Sequence, residues 1–172
     1  MRTGELAAAE PLLGHALQVW SSRLEPDAKD VLITRLGMAE WQVRSGRFAA
    51  AHAALDALGP LLADKPPQLQ FRHQSLLAEL LQREGRPQQA VQAWRQAVAM
   101  AEAQYGSDTI STARHRVPLA EALLDAGHPV QAREQMLRAA PLLREQLVPD
   151  SELPLRLTRL ESRLGSAPAH QG

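Results

Sequence analysis

Four glycines, Gly4, Gly46, Gly85 and Gly127, follow one another at intervals of 42, 39 and 42 residues, and an alanine stands five positions after each: Ala9, Ala51, Ala90 and Ala132. Seven positions before the last three glycines stand Ala39, Ala78 and Ala120. Twenty-three positions after the first, third and fourth stand Asp27, Asp108 and Asp150. Self-similarity at a period near 40 is the mark of stacked repeats, in which each repeat buries its apolar face only against its neighbours. Such architectures usually present binding surfaces, so the period constrains function as well as fold.

Apolar residues between the glycines recur at helical spacing, as in Val31, Leu32, Leu36, Met38, Ala39 and Val43, and strand-like alternation is absent. The chain therefore reads as all-α. Helices are expected at 4–24, 27–45, 47–63, 67–84, 86–105, 108–126, 128–147 and 151–164. Gly46, Gly85 and Gly127 fall between helices, where a left-handed residue ends one and reverses the chain into the next. The three aspartates are placed to cap the helices that follow. At the shortened interval, Asp64-Lys65-Pro66-Pro67, proline presets the first helical turn instead. Pro60, Pro118 and Pro141 fall inside expected helices and predict kinks, because each removes a backbone hydrogen bond at a cost of about 3 kcal/mol.

Composition removes several function classes. Nineteen Lys plus Arg balance nineteen Asp plus Glu, which leaves no positive field to hold nucleic acid, and there is no cysteine for disulfides or thiolate chemistry. No segment reads as a signal peptide or a membrane span, so the cytoplasm is the default compartment. Seventeen arginines against two lysines, Lys29 and Lys65, with abundant alanine and leucine, suggest a GC-rich bacterial genome. No phosphate loop, serine elbow or His-Glu-x-x-His helix is present, so neither catalysis nor a cofactor is expected. His73 and His115 lie at equivalent positions, but no carboxylate or thiol completes a metal-ligand spacing, and they read as ordinary histidines.

The small residue, the glycine seven later and the alanine five after that resemble the tetratricopeptide repeat. Larger residues nine after the glycine, Leu13, Leu55, Trp94 and Met136, and the positions twelve after, Ala16, Leu58, Ala97 and Ala139, extend the likeness, with Leu58 departing from the small pattern. Spacings of 42 and the join Tyr105-Gly106-Ser107-Asp108 resemble the kinesin-light-chain subtype, which in bacteria is common in signalling proteins. The resemblance implies an α-solenoid, a right-handed superhelix of about 3.5 repeats with a concave groove formed by first helices. It divides the chain into a half repeat at 4–24, repeats at 27–63, 67–105 and 108–147, a capping helix at 151–164 and a disordered tail at 166–172.

In that geometry the residues six before each glycine point into the groove, and all three are glutamates: Glu40, Glu79 and Glu121. Set about 10 Å apart, they repel by roughly 0.4 kcal/mol in water, and they read either as a surface for a basic peptide or as good helix formers with local salt bridges. Arg44 and Arg83 follow two of them by four residues, the spacing of a helix-surface ion pair. Arg72 and Arg114, thirteen before their glycines, and Ser75 complete the candidate groove. Glu replaces the asparagine used by family members that clamp a terminal carboxylate, which disfavours that ligand.

The expected function is a protein-interaction module for a peptide or protein segment. The alternatives are self-association as a homodimer through the N-terminal helix, whose flank carries Leu6, Leu13 and Leu17, or a regulatory portion of a larger kinase or transcription regulator. Gly4 opens a second helix without its first, which favours a segment of a longer protein.

Overall fold

The computed structural model describes residues 3–144 and 152–166. Eight helices follow in order: α1 (Thr3–Ser21), α2 (Lys29–Arg44), α3 (Phe48–Leu62), α4 (Pro67–Arg83), α5 (Pro87–Tyr105), α6 (Ile110–Asp125), α7 (Pro129–Arg144) and α8 (Glu152–Ser166). No strand occurs among the described residues. The helices fall into two compact units, Met1–Glu84 with α1 to α4 and Gly85–Gly172 with α5 to α8.

The turns follow from backbone sterics. Gly46, Gly85 and Gly127 have φ of 78°, 72° and 81°, a region that costs an L-residue roughly 1–2 kcal/mol. At Gly46 the amide donates to the Val43 carbonyl and the next amide, of Arg47, to Gln42. Gly127 and His128 repeat the pattern onto Leu124 and Leu123. This reciprocal closure satisfies carbonyls that a helix end would otherwise leave bare. Gly4 differs, since it falls inside α1 rather than at a turn.

Two expected caps are not formed. The residue preceding α2 is Ala28, which makes no side-chain cap, and Asp27 instead accepts a hydrogen bond from Lys65 Nζ at 2.7 Å. That ammonium group holds the Asp27 carboxyl below its ordinary pKa. At α6 the cap is Thr109 rather than Asp108: its hydroxyl accepts from the Thr112 amide, while the buried Thr112 hydroxyl donates to the Gly106 carbonyl at 2.7 Å. A hydroxyl can both donate and accept, so Thr109 and Thr112 link the helix start to the turn at Gly106, which a carboxylate cannot do. Pro67 opens α4 as expected, and Pro87 and Pro129 open α5 and α7. Asp150 lies outside the described residues. So do 145–147, expected to end the seventh helix, and 167–172 of the expected tail.

Pro60, Pro118 and Pro141 lie inside α3, α6 and α7, and Pro11 lies inside α1; none of them ends its helix. The buried, well-packed surroundings of α6 offset the backbone bond lost at Pro118, which is itself buried.

In the first unit, one cluster joins Leu32, Leu36, Ala39 and Val43 of α2, Ala51, Leu55, Leu58 and Leu62 of α3, and Leu69, Leu76 and Leu80 of α4. In the second, Ala113, Val117, Ala120 and Leu123 of α6 are fully or nearly fully buried, as are Ala132, Ala139 and Leu143 of α7. Ala39, Ala51, Ala78, Ala90, Ala120 and Ala132 are all completely buried. At such positions a methyl is the largest group that lets two backbones approach. Leu58, larger than its counterparts, is still nearly fully buried, so the first unit accommodates the departure.

Helix α1 packs on α2, and a Cβ added to Gly37 would come within 3.3 Å of Leu13 Cδ2. Leu13 and Leu17 are therefore half-buried rather than forming a bare flank; the exposed large apolar residues of α1 are Leu12 and Trp20. The Leu6 side chain lies outside the described part.

Ala120→Leu should destabilise folding by about 1–3 kcal/mol in urea titration through overpacking, whereas Ala53→Leu on the exposed side of α3 should stay within about 0.5 kcal/mol. Equal effects at the two sites would contradict the close-approach role of Ala120.

Candidate functional site

The candidate residues sit on first helices. Within the first unit α2 and α4 lie side by side, and a chain of ion pairs runs across them. Arg72 Nη2 of α4 donates to Glu40 Oε2 of α2 at 2.8 Å. Glu40 also holds Arg44 at 3.0 Å, Arg44 Nε lies 4.0 Å from Glu79 of α4, and Glu79 accepts from Arg83 at 2.9 Å. Five charges of alternating sign, Arg72, Glu40, Arg44, Glu79 and Arg83, are thereby linked, with between a quarter and a half of each side chain exposed. At this exposure each link is worth well under 1 kcal/mol after solvent screening, so the pairs fix side-chain positions more than they stabilise the fold.

The second unit repeats the plan between α6 and α8. Arg156 of α8 grips Glu121 of α6 along one guanidinium edge, through Nε and Nη2, with Nε 3.1 Å from Oε1, and Arg163 donates to Asp125 at 2.6 Å. Glu40 and Arg72 are 32 residues apart, and Glu121 and Arg156 are 35 apart. Arg44 and Glu79 are 35 apart, Asp125 and Arg163 38. Both differences are three residues, the shortening of the Asp64–Pro67 join, so the two sets occupy one register. In the second the signs at the outer pair are exchanged.

Each of the three glutamates is thus paired with an arginine of a neighbouring first helix or of its own. Arg114 is exposed on α6. Ser75 is partly buried on α4, its hydroxyl oxygen inaccessible to water and without a hydrogen-bond partner among the described residues. The sequence reading places Arg156 and Arg163 on the capping helix at 151–164, outside the candidate groove. The signal exists: Arg72, Arg114 and Arg156 stand at intervals of 42, so the last is one more first-helix arginine.

Other charged groups serve packing. Arg116 of α6, 2% exposed, is held between Glu102 of α5 and Gln135 of α7, the latter at 2.7 Å. A guanidinium buried to this degree requires such partners. Arg47 bonds Glu10 of α1 at 2.9 Å and covers the Trp41 ring at 4.4 Å. The histidines are likewise engaged, each inside its own unit: His73 Nε2–H donates to the Leu55 carbonyl at 2.9 Å, and His115 is largely buried. No group of three metal-ligating side chains occurs among the described residues, and no described helix is long and apolar enough to cross a membrane.

Burial holds the His115 imidazole down to a pKa of about 4, from an ordinary 6.5, and the neighbouring Arg114 charge pushes the same way. Between those values only the unfolded chain takes up the proton, so stability is lost as pH falls from 6.5 to 4, by up to about 1.4 kcal/mol per pH unit. Measured against His115→Asn by denaturant titration, the wild-type advantage should be flat above 6.5 and shrink below it. A pH-independent difference would refute the buried neutral imidazole.

Comparison with known proteins agrees with the helical repeats. Residues 69–145 match the tetratricopeptide-repeat family model. Among solved structures, the fold is similar to the nearly identical TPR-like repeats of a putative kinesin light chain from Podosopora anserina, and to a single-substitution form of it. Each matches with a TM-score of 0.71 at 20% identity, covering 95% of this chain and 81% of that one. It is also similar to BtubC (BKLC) from P. vanneervenii, with a TM-score of 0.63, 16% identity and coverage of 97% and 75%. No curated protein matches the sequence closely enough to count as a relative.

Proposed function

We propose, taking as premise that this chain is a tetratricopeptide-repeat protein, that it binds an extended segment of a partner protein along the face built by its first helices. Repeats of this family generally mediate protein–protein interaction, and their scaffold is typically non-catalytic. The observation that carries the finer reading is the Arg72, Glu40, Arg44, Glu79, Arg83 chain, polar, positioned and partly exposed across α2 and α4. Side chains already held by one another lose little conformational freedom on binding, which lowers the ordering cost of an interface.

The pairing changes what the partner must offer. A purely basic peptide would have to displace Arg44 and Arg72 from Glu40, exchanging one ion pair for another of similar strength. A segment carrying both signs can instead add a carboxylate beside Arg72 or Arg83 and a cation beside Glu79 while leaving the chain of pairs intact. On the second unit, taken by itself, exposed Arg114 offers a carboxylate the same kind of contact. Bidentate capture by arginine gives such contacts direction as well as charge.

Selection of a random peptide library on the immobilised protein should enrich segments that contain both acidic and basic residues. Their affinity should fall about tenfold or more in Arg72→Glu, equivalent to about 1.4 kcal/mol, with the fold retained by circular dichroism. Selected peptides that bind Arg72→Glu and Arg114→Glu as well as wild type would sink the first-helix reading.

A further inference from the structure

Helix α8 repeats the first-helix register of α6 at a shift of 42 residues, as its ion pairs to Glu121 and Asp125 establish. Under that shift Leu155, Thr158, Ser162 and Gly165 correspond to Ala113, Arg116, Ala120 and Leu123. The four residues of α6 are 0–2% exposed, and Arg116 bridges Gln135 on α7 and Glu102 on α5, so this stripe is the one a first helix buries between second helices, its own among them. On α8 all four counterparts are exposed, Leu155 to 55%.

Helix α1 shows the complementary pattern. Counted from Gly4 it has the register of a second helix, and at a shift of 42 Leu12 and Trp20 correspond to Ala54 and Leu62 of α3. Ala54 packs on the first-unit core and Leu62 is 2% exposed, whereas Leu12 is 70% and Trp20 37% exposed. Leu12 also stands eight after its glycine, as Gln135 does after Gly127, and Gln135 is the residue that meets Arg116.

We propose that α8 of one copy of this chain docks against α1 of a second copy, completing a helix pair of the same kind as α6 and α7. The occupant of each apolar face is set by register: Leu12 of one copy meets Thr158 of the next, as Gln135 meets Arg116. The small Ser162 lies where Ala120 of α6 admits close approach, and Leu12, Trp20 and Leu155 supply the apolar area that leaves water. The two faces differ, so the contact is heterologous. Each copy keeps one face free after docking, and assembly can continue beyond the dimer. This differs from a symmetric dimer through α1 alone, and it does not depend on the peptide-binding reading.

Sedimentation equilibrium of residues 1–172 up to about 1 mM, the dissociation range of a weak interface, tests it with two exposed-site variants. The wild type should gain mass with concentration past that of a dimer. Leu12→Glu, which blocks the α1 face, and Leu155→Glu, which blocks the α8 face, should each remain monomeric with unchanged circular dichroism. Their equal mixture should form a one-to-one dimer and nothing larger, because each supplies the face the other lacks. A wild type that stays monomeric throughout, an unaltered assembly of Leu155→Glu, or a mixture that stays monomeric would each overturn the proposal; the second would point to a symmetric α1 contact.

Discussion

Close approach of paired helices at fully buried alanines is the constraint on which the described structure depends. Ala39 and Ala51 in the first unit, and Ala120 and Ala132 in the second, present only a methyl where two backbones come together. The larger Leu32, Leu55, Leu123 and Leu143 fill the space beside those contacts. Dense packing leaves no room to trade a methyl for a longer side chain, and the glycine turns with positive φ set the reversal that brings the alanines opposite each other.

That spacing places first helices side by side within a unit, and the polar consequences follow. Guanidinium and carboxylate groups one helix apart can then reach each other, as Arg72 reaches Glu40 and Arg156 reaches Glu121. The resulting face has side chains of both signs in held positions, rather than a run of like charge. Where a charge is buried, as at Arg116, the surrounding helices supply Glu102 and Gln135, and the group belongs to the core rather than to a surface.

Local turn chemistry adapts to these contacts. Asp27 is drawn to Lys65 across the first unit instead of capping α2, and Thr109 with Thr112 takes the capping role beside Asp108. The first outcome rests on a contact that sequence neighbours do not predict, since 38 positions separate Asp27 from Lys65; the second is local, within three residues. The exposure of Leu12 and Leu155 likewise gains meaning only by register, because each stands where its counterpart in another repeat is covered.

Helix number, the turns at Gly46, Gly85 and Gly127, and the buried alanines were legible in the amino-acid order alone, because backbone sterics and helical periodicity act over a few residues and the repeat states them several times. The glutamates at Glu40, Glu79 and Glu121 were legible as a set for the same reason. So were the pairs Glu40–Arg44 and Glu79–Arg83, at the four-residue spacing of one helix face; the pairs across helices were not. Charge at a position says what a side chain can attract, but which of several arginines lies within 3 Å depends on how helices some 35 residues apart along the chain pack together. The tertiary structure alone therefore linked Glu40 and Glu79 across α2 and α4 in the first unit, and in the second joined Arg156 and Arg163 to Glu121 and Asp125.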